Sequence, residues 1–117
     1  MAILLNTTEV IIANQTIMID NKDYNLLAHN TFGISETCRR YVEFSTVDEL
    51  RRVLKSLSPA DFPLLVLGGG SNLLLTKPFQ GTVLHSAIRG IEHSDDGDDI
   101  LLRCGSGEVW DDVVAYA

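Results

Sequence analysis

The sequence contains few cysteines, few prolines and few aromatic residues. Its 117 residues include 2 Cys, 3 Pro and 7% aromatic side chains. Cys38 and Cys104 lie far apart and form no CxxC motif and no Cys/His ligand cluster. This usage is typical of a reducing compartment, and it predicts that both cysteines are small buried hydrophobic residues.

The sequence also lacks a long hydrophobic run. Its longest apolar stretches, such as residues 64–67, fall far short of the roughly 20 residues that a membrane-spanning helix needs. Residues 1–13 are apolar in patches but have no basic start, so they make a poor secretory signal. We therefore expect a cytoplasmic protein that does not associate with membranes.

Basic residues are in the minority. The chain carries 9 Lys plus Arg against 16 Asp plus Glu, which gives a net charge of −7. Nucleic acids and anionic membranes would repel such a chain, so neither is an expected partner. A hydrophobic content of 45% excludes complete disorder, and the length suits one domain that buries about two-thirds of its unfolded surface.

Hydrophobic patterning predicts strands mixed with helices. Residues 40–45 alternate like a half-buried strand, and Thr46 with Glu49 forms a capping box that begins a helix. Residues 63–67 are continuously apolar and predict a strand that is buried on both faces. Further strands are predicted at residues 81–86, 91–93 and 100–104, with a solvated turn at residues 95–99. A last helix is predicted over residues 108–117, beginning at Ser106 or Gly107, and the aromatic residues Phe79, Trp110 and Tyr116 are predicted at the core or its edge.

The sharpest local signal is a glycine-rich loop that follows the predicted buried strand. Three consecutive glycines allow positive φ angles and a close approach by a ligand. The backbone N–H groups of such a turn can form a concave anion-binding nest, and neutral Ser and Asn side chains can also donate to phosphate oxygens. The loop therefore predicts a diphosphate site that needs no lysine, since the nearest one is Lys77. Its residues are Gly68, Gly69, Gly70, Ser71, Asn72 and Leu73.

The loop lacks the spacing of the two best-known phosphate-binding motifs. A P-loop needs GxxxxGK[ST], and a dinucleotide fingerprint needs GxGxxG opening a helix, whereas residues 73–75 look extended. For the loop alone, a tight turn without a ligand is an equally good interpretation. A second glycine site, Gly105-Ser106-Gly107, is interpreted as a strand-to-helix turn, with an anion site at a helix N-terminus as the alternative.

The remaining polar residues show no spacing that indicates catalysis or metal binding. His29, His85 and His93 form no ligand set or triad, and we expect them to be exposed or hydrogen-bonded. The DDGDD run at residues 95–99 lacks the alternating ligands and distal glutamate of a calcium loop. No metal site is therefore predicted, and no residue of this chain is assigned a catalytic role.

Five segments occur in order along the chain: NTFGI at residues 30–34, PLLVLGGGSNLL at 63–74, GTV at 81–83, RGIE at 89–92 and GSGEVW at 105–110. Taken together, they resemble the UDP-N-acetylenolpyruvoylglucosamine reductase family, also called UDP-N-acetylmuramate dehydrogenases. The resemblance covers about residues 24–117, and NTFGI followed by GGGSNLL is its specific part. GGGSN alone would indicate only the wider FAD-binding fold of the vanillyl-alcohol-oxidase (PCMH) type.

The resemblance implies an α+β fold in which FAD lies between two subdomains with its diphosphate on the loop of residues 68–73. It also implies that NADPH reduces the flavin, which passes hydride to the enolpyruvyl group of a UDP-sugar in peptidoglycan precursor synthesis. The family's catalytic residues correspond to positions beyond Ala117, so the chain alone is expected to be inactive and to retain FAD weakly. Another FAD-dependent oxidase or dehydrogenase of the same fold, and a non-catalytic interaction module, are the alternatives.

The resemblance also implies a division of the chain. Residues 1–23 have no counterpart in the family pattern and form an extension of unknown role, in which residues 9–20 suggest a hairpin or a mobile segment and 21–23 a polar junction. Residues 24–77 are expected to form the first subdomain, with a βαβ-like unit from about residue 39 to 75. Residues 78–117 are expected to begin the second subdomain, and the substrate domain is absent.

Overall fold

The structure, a computed structural model, describes residues 18–117. The predicted hairpin at residues 9–20 falls almost entirely outside this range. Strands and helices are mixed along the chain, as the predicted α+β class requires. The strands are β1 (Ile19–Asn25), β2 (Thr37–Phe44), β3 (Leu64–Leu67), β4 (Phe79–Ser86), β5 (Ile91–Asp96) and β6 (Asp99–Cys104). The helices are α1 (Val47–Ser56) and α2 (Trp110–Tyr116), with short 3₁₀ turns at Leu27–His29 and Pro59–Asp61.

Four strands form one sheet in the order β1-β2-β4-β3. β1 is antiparallel to β2, whereas β2 and β3 are both parallel to β4. The chain from β2 through α1 to β3 is therefore a βαβ crossover, as predicted, and β4 lies between its two strands. β4 is thus part of this sheet, although the predicted division at residues 77/78 assigned it to the second subdomain.

The first strand corrects the other predicted boundary. β1 begins at Ile19, and its residues Asn21 and Lys22 are paired with Tyr41 and Arg40 of β2. Asp20 also forms a salt bridge with Arg40 over 2.7 Å. Residues 19–23 therefore belong to the sheet rather than to an extension or junction. The polar sequence concealed the strand because an edge strand does not need hydrophobic residues.

The central strand β2 separates two hydrophobic clusters. Tyr41 and Val42 are both completely buried, although they point to opposite faces. Tyr41 packs with Leu67 and Val83 in one cluster, and Val42 packs with Val53 in the other. The prediction of a strand was right and that of half-burial was wrong, because β2 has neighbours on both edges and packing on both faces.

Helix α1 begins at the predicted capping box. The hydroxyl oxygen of Thr46 accepts a hydrogen bond from the N–H of Glu49 over 3.1 Å, and the Glu49 carboxylate accepts from the N–H of Thr46 over 3.3 Å. Val53 is buried against the sheet, while the adjacent Leu54 is exposed. This reciprocal cap satisfies N–H groups that would otherwise lack partners at the helix start.

Strand β3 lies at the edge of the sheet and is buried less than predicted. Within residues 18–117 only β4 pairs with it, and Val66 is 77% exposed. Leu65 and Leu67 pack in the first cluster and Leu64 packs against the second, so both faces contribute to the core but the second face does so only at the start of the strand. A continuous apolar run predicted burial on both faces, but among residues 18–117 nothing covers Val66.

Beyond the sheet, β5 and β6 form an antiparallel hairpin. Its tip is the predicted turn in the DDGDD run, where Gly97 has a φ of +66°. Helix α2 begins at Trp110, three residues later than the latest predicted start. Trp110 is 72% exposed and Tyr116 is also exposed, so their prediction as core aromatics was wrong, whereas Phe79 packs against the first cluster.

The two cysteines differ in environment. Cys38 is buried in the first cluster, as predicted, and this burial raises the pKa of its thiol. Cys104 is exposed on the hairpin, which contradicts its predicted burial, and both are free thiols. Among residues 18–117, no helix has the length and apolar character needed to cross a membrane.

Candidate functional site

The glycine-rich loop leaves the sheet at the end of edge strand β3. Residues 68–70 bend, and residues 71–72 form a turn. Residues 73–75 then continue without regular secondary structure, so no helix follows the glycines, and neither a P-loop nor a dinucleotide fingerprint is present. The six predicted site residues remain together in this one segment.

Gly70 is the position in the loop where only glycine fits. Its φ is +76°, and a Cβ added there would collide with the backbone carbonyl oxygen of His29 and lie 2.8 Å from the Cα of Asn30. The N–H of Thr31 donates to the carbonyl oxygen of Gly70 over 3.3 Å. The loop is therefore packed directly on the backbone of residues 29–31.

Asn30 organises the segment against which the loop packs. Its side chain is buried, donates to the carbonyl oxygens of Leu26 and Ile34, and accepts from the N–H of Ile34. These three hydrogen bonds close residues 26–34 into a compact turn. The two most distinctive sequence segments, NTFGI and GGGSN, therefore contact each other in the fold.

Gly68 and Gly69 differ from Gly70 because they are open to solvent. A Cβ built on either glycine would have no atom within 4 Å, and neither has a positive φ. The backbone N–H groups of residues 69–72 donate to no acceptor within residues 18–117. The loop therefore presents unpaired donors beside empty space, although the positive φ occurs at only one of its three glycines.

This empty space is a cleft of about 440 Å³. Gly68, Gly69 and Ser71 form one wall of the cleft. His85 and Ser86, at the end of the neighbouring strand β4, continue this wall. The opposite wall comes from the segment after β4, the segment before α2 and the start of α2, and it consists of Arg89, Ser106, Gly107, Glu108, Val109, Trp110 and Asp111.

The second glycine site closes the opposite wall of the cleft. A Cβ on Gly107 would collide with the backbone of residues 86–88, and one on Gly105 with the backbone of Ile88 and Arg89. The N–H groups of both glycines donate to nearby carbonyl oxygens over 2.8–2.9 Å. This site is therefore a close-packed turn, in agreement with the first interpretation of the sequence. The alternative, an anion site at a helix N-terminus, was wrong because α2 begins only at Trp110.

An arginine that the sequence interpretation did not single out also lines the cleft. The guanidinium of Arg89 lies 3.4 Å from the carboxylate of Glu108, and that carboxylate also accepts from the N–H of Gly90 over 2.6 Å. Arg89 is largely exposed, so it can reach a ligand while its charge is partly balanced. Both side chains lie in segments that carried the family resemblance, but only the fold shows that they face the glycine loop.

Two of the three histidines, His29 and His85, meet at the hydroxyl of Tyr41, and His85 also lines the cleft. The hydroxyl of Tyr41 lies 2.7 Å from Nδ1 of His85, 3.4 Å from Nδ1 of His29 and 2.8 Å from a carboxylate oxygen of Glu43. Both histidines are hydrogen-bonded, as expected. One imidazole nitrogen of each histidine and a carboxylate oxygen of Glu43 lie within 4.8 Å of one another. The sequence spacing did not reveal this grouping, because the pairing of β2 with β4 places Glu43 opposite His85.

Burial changes the pKa values of His29 and Tyr41 in this group. Partial burial, with a contribution from nearby His85, lowers the pKa of His29. Burial and the neighbouring Glu43 carboxylate raise the pKa of Tyr41 far above its ordinary value, so the phenol keeps its hydrogen. Tyr41 therefore acts as a neutral hydrogen-bonding centre for the two imidazoles and the carboxylate.

The donor set of the cleft fits a dinucleotide diphosphate. Backbone N–H groups without an acceptor in residues 18–117, the Ser71 hydroxyl and the Arg89 guanidinium are all groups that can donate to phosphate oxygens. A side chain at Gly68 or Gly69 would fill the space in which such a group would lie.

Comparisons with known proteins agree with this interpretation. The profile of a family described as "FAD binding domain" matches residues 38–117. UDP-N-acetylenolpyruvoylglucosamine reductase from Bacteroides fragilis is 50% identical over 94 residues, which are 80% of this chain and 28% of that protein. The reductase of the same name from Porphyromonas gingivalis is 43% identical over 97 residues, 82% of this chain and 29% of that protein. The reductase from Shewanella sediminis is 39% identical over 94 residues, 80% of this chain and 27% of that protein.

The chain thus spans less than a third of the length of these relatives. The family match confirms the FAD-binding fold of the PCMH type and FAD as the cofactor of the family. The chain therefore belongs to the FAD-binding domain family, and over about four fifths of its length it is similar to UDP-N-acetylenolpyruvoylglucosamine reductases.

Proposed function

We propose that Gly68, Gly69, Gly70, Ser71, Asn72 and Leu73 bind the diphosphate of FAD. The observation that carries this proposal is the set of N–H groups at residues 69–72, which have no acceptor within residues 18–117; of these residues, Gly69 and Ser71 line the cleft. An anion held by several such groups needs no lysine, since each amide supplies a fixed partial positive charge. Gly70 positions the loop, while Gly68 and Gly69 leave room for the ligand.

We propose further that the whole protein carrying this chain reduces the enolpyruvyl group of a UDP-sugar. Bound FAD would carry hydride from NADPH to that double bond, giving the UDP-N-acetylmuramate used in peptidoglycan synthesis. This chain's own residues would bind and orient the cofactor, and none of them is assigned the proton transfer. The same proposal places the protein in the cytoplasm, where these small-molecule substrates are available.

We propose subdomain boundaries that follow the two sheets. Residues 19–86 would form the first subdomain, which carries the glycine loop, and residues 87–117 would begin the second, which carries Arg89 and Glu108. The cleft between loop and turn would then hold the diphosphate where the two subdomains meet. This arrangement needs both close-packed turns, at Gly70 and at Gly105-Ser106-Gly107.

The diphosphate proposal can be tested on this chain by amide NMR, which detects weak binding. Addition of ADP-ribose, which has the ADP half of FAD without the flavin, should shift the N–H signals of residues 69–72. Adenosine, which lacks the diphosphate, should leave them in place. Shifts confined to other residues, or identical shifts with both compounds, would refute the proposed loop function.

The enzymatic proposal requires the complete protein. Purified with bound flavin, it should oxidise NADPH only when UDP-N-acetylglucosamine enolpyruvate is present. A colourless protein, or NADPH oxidation independent of the UDP-sugar, would instead support a non-catalytic module or another flavin oxidase of the same fold.

A further inference from the structure

A histidine lies on the wall of the cleft immediately beside the glycine loop. His85 is paired with Leu67 in the register of β4 and β3, and Leu67 directly precedes Gly68. His85 lines the cleft together with Gly68 and Ser71, and 24% of its side chain is exposed. The sheet therefore places an imidazole next to the proposed diphosphate position.

The hydrogen-bond network assigns the tautomer of this imidazole. Nδ1 of His85 lies 2.7 Å from the Tyr41 hydroxyl and 3.2 Å from the Glu43 carboxylate. Tyr41 donates its single hydroxyl hydrogen to that same carboxylate over 2.8 Å. Both neighbours therefore offer Nδ1 only lone pairs, so Nδ1 must carry a hydrogen.

This assignment leaves Nε2 of neutral His85 as an acceptor. Nε2 has no hydrogen-bond partner within residues 18–117. A phosphate oxygen is also an acceptor, so neutral His85 cannot bind one through Nε2. After proton uptake Nε2 becomes a charged donor, which forms a stronger hydrogen bond to an anion than a neutral donor does.

We infer that His85 is a proton-dependent ligand of the diphosphate, which it binds through Nε2–H while Tyr41 and Glu43 hold Nδ1. This inference rests on the proposed function of the glycine loop. It adds to that loop a cationic contact that forms only when a proton is taken up. The ligand class is a diphosphate diester of a dinucleotide, and binding is coupled to one proton.

The charges around His85 favour this coupling. Glu43 is the carboxylate within hydrogen-bond distance, and it stabilises the imidazolium. His29 faces His85 with its ring centre 5.5 Å away, and its lowered pKa keeps this second imidazole neutral. Arg89, Glu108 and Asp111 line the opposite part of the cleft, where Arg89 and Glu108 are paired with each other.

The test is the pH dependence of ADP-ribose binding to this chain, measured by NMR titration from about pH 5.5 to about pH 8.5, which spans the ordinary imidazole range. The diphosphate diester stays fully ionised throughout, so a change in affinity reports on the protein. Towards the alkaline end of this range, affinity should fall by up to about tenfold per pH unit, because one proton is bound with the ligand. The imidazole signals of His85 should titrate at higher pH when ADP-ribose is bound.

Three variants make the test specific. His85→Gln should retain weak binding by the loop but lose the pH dependence. Glu43→Gln should keep the dependence and move it to lower pH, because the imidazolium loses its carboxylate partner. His93→Gln is the matched control, since His93 lies on the hairpin, where it contacts Tyr116 and does not line the cleft.

The outcomes separate the two proposals. Binding that does not depend on pH, or a pH dependence that persists in His85→Gln, would overturn the inference and leave the loop's function intact. Absence of ADP-ribose binding at every pH would overturn both proposals. A pH dependence lost in His85→Gln and kept in His93→Gln would support the inference.

Discussion

Replacement of Gly70 by alanine should destabilise the fold, whereas the same change at the adjacent Gly69 should not. Gly70 has a φ of +76°, and a left-handed backbone costs a non-glycine residue about 1–2 kcal/mol. The new Cβ would also collide with the backbone of residues 29–30, and overpacking of this kind costs about 1–3 kcal/mol. We therefore expect Gly70→Ala to lower the free energy of unfolding by about 2–5 kcal/mol.

Gly69→Ala is the matched control because its Cβ would have no atom within 4 Å and its φ is not positive. Its free energy of unfolding should stay within about 1 kcal/mol of the original. Urea unfolding followed by circular dichroism measures both values. With the larger Gly69→Val, ADP-ribose binding should fall far more than stability. Equal destabilisation by the two alanine variants would refute the different roles assigned to these glycines.

Two further substitutions and one chemical modification test the scaffold around the site. Asn30→Ala should lower the free energy of unfolding by about 2–4 kcal/mol, because three hydrogen bonds of a buried side chain are lost; a urea midpoint unchanged from the original would contradict this. Thr46→Ala removes the helix cap and should lower the free energy of unfolding by about 0.5–2 kcal/mol in the same assay. The control is Lys55→Ala at an exposed position of the same helix, which should leave the free energy of unfolding unchanged. A thiol reagent should modify exposed Cys104 rapidly in the folded protein and Cys38 only after unfolding, so equal rates would show that Cys38 is not buried.

The predictions that succeeded for the fold rest on signals that act locally. The capping box at Thr46 and Glu49 requires only neighbouring residues, so it could be identified before the fold was known. The strand β1 could not, because pairing with β2 stabilises its polar residues and no local pattern marks an edge strand. The burial of Val66 was overestimated for a related reason, since an apolar run does not reveal whether a neighbouring element covers it.

The same distinction applies to the candidate site. The loop of residues 68–73 is continuous in sequence and could be recognised from its glycines. Glu43 and His85 are far apart in sequence and meet only because β2 and β4 pair in parallel with these residues opposite each other. Which of the glycines is conformationally required also depends on the fold, since the backbone of residues 29–30 approaches Gly70 alone within the loop.

The electrostatics of the chain explain why the proposed site uses backbone donors. A protein with a net charge of −7 repels a dinucleotide at long range, so attraction must come from groups at short distance. Backbone N–H groups supply it without adding a charge that would need a partner in the empty cleft. Arg89 already has such a partner in Glu108, and the charge proposed for His85 is coupled to the arrival of the anion. A site built in this way avoids unpaired cations when no ligand is bound, and it still offers up to two positive charges to a diphosphate.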